Sequence, residues 1–161
     1  MAGSSIETAP ATTLGNVRRF LLLLYVMGIV GTAADLLLTG HFEDLWQLAP
    51  LALIAISAGV VIWLVSIGSR SSLRAHQATM ALFIVSGFLG TFFHLKANIE
   101  FEAEMYPGLA GFELYWKAIQ GASPPSLAPG AMIALGLLGL IHAYRYPTRE
   151  LNSTDRLGAP T

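Results

Sequence analysis

Four apolar stretches, at about 20–40, 47–68, 75–95 and 127–146, constrain this chain more than any other feature. A hydrocarbon core of roughly 30 Å is crossed by about 20 helical residues, so each stretch is of spanning length. In lipid every backbone N–H and C=O must be paired within the protein, and an isolated apolar segment can satisfy that only as a helix. The expected fold is therefore all-α, a four-helix transmembrane bundle occupying residues 18–147. Composition agrees: 54% of the chain is hydrophobic and only 12% is charged, whereas about a quarter of a soluble domain is charged. Pro50 and Pro129 are expected in the first turns of the second and fourth spans, where a missing N–H costs nothing, and Pro147 closes the fourth.

The basic residues set an orientation. Arg18 and Arg19 precede the first span, Arg70 and Arg74 lie between the second and third, and Arg145, Arg149 and Arg156 follow the fourth. The positive-inside rule makes that side cytoplasmic, with both termini. The opposite loops hold Glu43, Asp44, Glu100, Glu102, Glu104 and Glu113 against Lys96 and Lys117, so the outer face is acidic. A cleaved signal peptide ending at Ala34 is a competing reading of the start. Against it, apolar residues resume at Leu36–Leu38 and bring the segment to spanning length. Residues 1–17 and 148–161 read as polar, disordered cytoplasmic tails. A net charge of −1 gives no basis for nucleic-acid binding. The absence of cysteine removes disulfides, thiolate metal sites and cysteine nucleophiles.

Residues 96–126, between the third and fourth spans, form a connection too long to be structureless in a compact bundle. No breaker interrupts His94 to Tyr106, so the third helix is expected to run about 15 Å past the membrane. Beyond Pro107 and Gly108, the residues Leu109, Phe112, Trp116 and Ile119 recur at helical spacing, while Glu113 and Lys117 form an i,i+4 pair on another face. That pattern predicts an amphipathic helix between Gly108 and Gln120, lying at the outer interface. Ser123 to Gly130, with three prolines, is expected to return the chain to the membrane.

Polar residues that cannot face lipid mark where chemistry could reside. In the first span Gly28, Gly31, Thr32, Asp35 and Thr39 share a broad face; Asp35, the only carboxylate in any span, is expected to face the bundle interior. In the third, Ser86, Gly90, His94, Asn98 and Glu102 follow at i, i+4, i+8 and onward along one ridge. His94 and the first outer loop, with His41, reach the depth of Asp35. Imidazole nitrogen beside carboxylate oxygen suits zinc, iron, manganese or copper. Asp35, His41, His94, Asn98 and Glu102 are thus a candidate site for a divalent transition metal or a proton relay. The alternative for each is a locally satisfied or hydrated group, because no HExxH, ExxH pair or EF-hand loop is present. The four histidines also fall into pairs matched in depth, His41 with His94 and His76 with His142. Bis-histidine haem ligation needs such pairs, but His41 in a loop and His76 beside Arg74 are expected to be hydrated. No serine has a nucleophile-elbow context, so a Ser–His–Asp set is unsupported.

The segment Gly31 to Pro50, reading GTAADLLLTGHFEDLWQLAP, together with His94 to Glu104 and the later LAPG and GLLGL, resembles an uncharacterised family of small four-span bacterial membrane proteins. That resemblance implies a bacterial inner membrane and supplies no chemistry. Two functions follow from the residues themselves. One is an outer-facing metal-binding or proton-relay site centred on Asp35 and His94. The other is a non-catalytic accessory or scaffold subunit of a larger membrane complex, docking through Phe112 to Ile119. Beyond the lipid bilayer, the partners expected are such a complex or a homo-oligomer. A transporter would need a dimer to enclose a pathway and a broken-helix pair that is not seen.

Overall fold

The computed structural model describes residues 8–120 and 127–149. Within them the chain is helical: α1 (Thr8–Leu38), α2 (Leu45–Ile67), α3 (Arg70–Met105), α4 (Gly111–Ile119) and α5 (Leu127–Ala143). α1, α2 and α3 are long and apolar enough to cross a membrane, whereas α5 is a shorter apolar helix of 17 residues. Only 22% of each spanning window is buried within the protein. Large side chains such as Phe20, Met27, Ile62, Phe88 and Phe92 therefore form an apolar outer surface suited to lipid.

Local chemistry sets the helix boundaries, several of which differ from expectation. The described part of α1 runs from Thr8, so residues 8–17 are helix and not tail. α2 begins at Leu45 because the Gln47 side-chain oxygen accepts the N–H groups of Glu43 and Asp44. That earlier start moves Pro50 beyond the first turn, inside the helix. Gly68, at φ +65°, ends α2 and Ser69 caps α3 by accepting the Ser72 N–H, so α3 starts at Arg70 after a minimal link. The expected extension of α3 to the neighbourhood of Tyr106 is found, for a helix of about 54 Å. α5 stops at Ala143, short of Tyr146, where a turn leads into Arg145 at φ +50°. The tail is docked at its start: Thr148 is buried and the Arg149 N–H donates to Gly68 O at 3.0 Å. Residues 1–7, 121–126 and 150–161 lie outside the described residues, and with them Arg156, much of the proline-rich link, the start of the expected N-terminal tail and most of the C-terminal one.

α3 and α5 form the largest interface, α2 packs on α3, and α1 packs on α5. Glycines bring α3 and α5 together antiparallel. A Cβ on Gly87 would stand 2.6 Å from Pro129 O, and one on Gly136 would stand 2.7 Å from Met80 O. Backbones this close leave room for hydrogen alone, which is how helices associate without a hydrophobic drive. The core consists of Tyr25, Ile29 and Leu36 from α1, Ile54 and Val61 from α2, Met80 and Phe83 from α3, and Met132 and Leu135 from α5.

The arginines in the first half of α1, in the first turns of α3 and after α5 meet at one end. The Arg18 guanidinium donates to Tyr144 O and Arg145 O, and Arg149 lies over Gly68. Among the described residues every carboxylate belongs to the opposite, acidic half.

Candidate functional site

At the acidic end, Gly40 terminates α1 at φ +70°, with Gly40 N–H bonded to Leu37 O and His41 N–H to Leu36 O at 2.9 Å. These paired bonds fold the chain back over the last helical turn and fix where His41 begins. Its imidazole stacks on that of His94 from α3, with centroids 5.8 Å apart and planes at 23°. Both rings are half-buried. They border a cavity of about 40 Å³ whose other walls include Leu36, Pro50, Ser86, Gly90 and Pro129. A water needs at least roughly 10–15 Å³, so the space suits one or two waters, or an ion.

The remaining predicted residues are elsewhere. Asp35 is exposed and makes no side-chain hydrogen bond or ion pair among the described residues. The reason is helical phase. α1 buries Tyr25, Ile29, Thr32 and Leu36, which share one face, and Asp35 lies about 100° around from Leu36. The expectation that Asp35 faces the interior is therefore corrected. Asn98 and Glu102 do continue the α3 ridge, but they fasten α4. Asn98 Nδ2 donates to Ala118 O at 3.0 Å, and buried Glu102 pairs with Lys117 at 3.5 Å. Lys117 also covers the Tyr106 ring. Among the described residues no group of three or more His, Asp or Glu is arranged to hold a metal ion. Of the five-residue constellation, only His41 and His94 come together, enough for two ligands of a four-coordinate ion and no more.

α4 turns Leu114, Lys117 and Ala118 toward α3, leaving Phe112, Trp116 and Ile119 exposed on its other side. Phe112 and Trp116 stack at 6.2 Å. The apolar stripe in the sequence is thus the outward face, while a small alanine makes the intramolecular contact.

A second polar cluster lies toward the basic end. Tyr25 Oη donates to Ser57 Oγ at 2.9 Å, and the Tyr25 ring meets His76 edge-on. His76 Nε2 bonds Gly139 O at 3.1 Å, and His142 stands between His76 and Tyr146. His76 is fully buried, not hydrated as its position beside Arg74 suggested. The early start of α3 carries it nearly two turns into the bundle, and Gly139 opens space for the ring. The depth-matched pairing of histidines in the sequence pointed here; burial could not be read without knowing that α5 presents glycine at that level. No protein-family model, curated protein or solved structure matches the chain.

Proposed function

We propose that this chain is a non-catalytic accessory subunit of a larger membrane complex, carried in a bacterial inner membrane by four spans with both termini cytoplasmic. α5 serves as the fourth span. At about 25 Å it is short of the hydrocarbon thickness, a mismatch that Tyr144 and Tyr146 at its end and local bilayer thinning absorb. The gathering of arginines at one end favours the cytoplasmic placement of that end. The family resemblance in Gly31–Pro50 favours the bacterial setting.

The observation that carries the accessory reading is the use made of Asn98 and Glu102. Two polar residues in the outer half of α3 fix α4 in place, and what α4 then offers outward is an ordered aromatic row, Phe112 stacked on Trp116 with Ile119 beside them. Aromatic side chains held rigid lose little entropy on contact, which makes them effective anchors for a partner protein. The partner is a membrane protein with an apolar outer surface at the same height. Mild solubilisation of native membranes followed by native electrophoresis tests this. The chain should migrate well above its own mass, and the double change F112S/W116S should release it. Migration as a free subunit from native membranes would end the reading.

One observation favours a second reading, a metal-binding or proton-relay site: the His41–His94 stack at the edge of its cavity. Elemental analysis of the purified protein decides between them, because a stoichiometric transition metal that disappears in H94A requires a ligand site, whereas a scaffold does not.

A further inference from the structure

The cavity at the acidic end is walled by more than its two histidines. Met132 of α5 lines it and is itself 2% exposed, while Ser86 and Gly90 keep the α3 wall small. Gly87 faces Pro129 and Ile133, so Met132 stands nearer the basic end than His94 does. α3 and α5 run antiparallel, and a helical side chain leans toward the N-terminus of its own helix. His94 therefore leans toward the basic end and Met132 toward the acidic end, each into the space between them. His41 arrives from the turn after α1, so three separate segments each bring one donor-bearing side chain to the same cavity.

The donors themselves select among ligands. Neither imidazole makes a hydrogen bond or ion pair among the described residues, so the ring nitrogens are uncommitted. An imidazole nitrogen binds a first-row ion at about 2.0 Å and sits about 1.1 Å from its ring centroid, so two rings on one ion have centroids at most about 6.2 Å apart. The observed 5.8 Å lies within that limit. Among the described residues no Asp or Glu lines the cavity, which disfavours the hard ions that seek oxygen. The third side chain is a thioether, a soft ligand that selects copper(I), and imidazole suits copper as well. Copper(I) also accepts a coordination lower than the four of structural zinc.

Resting on the metal-binding reading of that stack, we propose that His41, His94 and Met132 bind copper(I) through two imidazole nitrogens and one thioether sulfur. The ion enters from the acidic face. His41 lies in a turn just before Glu43 and Asp44, both exposed, and carboxylates at the rim of a site raise the local concentration of cations. The remaining walls, Leu36 and Pro129 among them, are apolar, and a dry surround costs a monovalent ion less than a divalent one.

The test uses the full chain, purified in mild detergent without a histidine tag and stripped of metal, titrated with copper(I) against bicinchoninate and separately with zinc(II). One equivalent of copper(I) should be held, and X-ray absorption at the copper edge should show nitrogen and sulfur neighbours together. H41A, in a turn outside the helices, should weaken binding by at least the tenfold that loss of even an outer-shell partner costs. M132L, which conserves volume in the core, should weaken it by about tenfold and remove the sulfur neighbour. M105L alters an exposed methionine outside the cavity and should bind as the unaltered chain does. Zinc(II) held more tightly than copper(I), or copper(I) indifferent to M132L, with the bound ion still lost in H41A, would overturn the copper assignment and leave the two-histidine metal reading standing. Binding of neither ion, or binding that survives both H41A and H94A, would overturn the two together.

Discussion

His76 and His142 meet edge to face, ring centroids 5.8 Å apart and planes at 82°, within the packed centre of the bundle. The bond from His76 to Gly139 O requires the proton on Nε2, because a carbonyl only accepts, so Nδ1 is left as a buried atom without a partner among the described residues. His142 Nδ1 is in the same condition. The two rings are thus unequal: one is tied to the backbone of α5, the other is held by packing alone among the described residues.

That inequality gives a first prediction. H142L comes close to the volume of histidine and removes an unsatisfied polar atom, so it should change stability by less than about 1 kcal/mol. H76A should cost about 2–4 kcal/mol, since it opens a cavity and leaves Gly139 O unbonded. Thermal unfolding in a mild detergent measures both. Equal losses for the two would mean that His142 has a polar partner of its own.

The α3–α5 contact supplies the second. G87A and G136A place a methyl group within 2.6 Å and 2.7 Å of backbone oxygen on the facing helix, so each should push the helices apart and cost about 1–3 kcal/mol. G31A and G59A meet nothing within 4 Å and should be neutral or slightly stabilising, as alanine is the better helix former. If all four behave alike, helix propensity and not close packing governs these sites.

Orientation is the third. The chain has no cysteine, so single cysteines report cleanly. In intact cells A103C, on the overhanging end of α3, should react with an impermeant maleimide, while S71C, exposed at the start of the same helix, should react only after permeabilisation. The reverse pattern would move the aromatic face of α4 to the cytoplasm, and the arginine-rich end outside.

Hydropathy and periodicity located the five helices found among the described residues, because a long apolar helix is a property of some 20 consecutive residues and survives errors in detail. Helix ends depended on single contacts that composition does not reveal, such as Gln47 reaching back to Glu43 and Asp44, or the Arg145 turn that shortens α5. The proposed constellation failed for a related reason. The α3 ridge from Ser86 to Glu102 is real, but which neighbour each of its residues meets depends on where α4 returns, and α4 returns onto Asn98 and Glu102. Asp35 shows how small the margin is: one residue around the helix from buried Leu36, it leaves the core altogether. The pairing of His41 with His94 came through because both are set by helix length, one just past the end of α1 and the other level with it on α3.

These placements decide the last prediction, which concerns coupling. If Asp35 and His94 met between α1 and α3, D35N and H94A would interact, and the double variant would cost less than the sum of its parts. With Asp35 turned outward, the two changes should instead add within about 0.5 kcal/mol, the behaviour of residues without shared partners. H41A and H94A, whose rings stack at 5.8 Å, should be non-additive by about 0.5–1.5 kcal/mol, since either change alone removes the same contact. Thermal unfolding of the two double-variant cycles, measured side by side, gives the comparison. Coupling in the Asp35 cycle and additivity in the His41 cycle would mean that α1 is rotated in the bilayer relative to this structure, bringing its carboxylate inward and restoring the case for a mixed imidazole and carboxylate site.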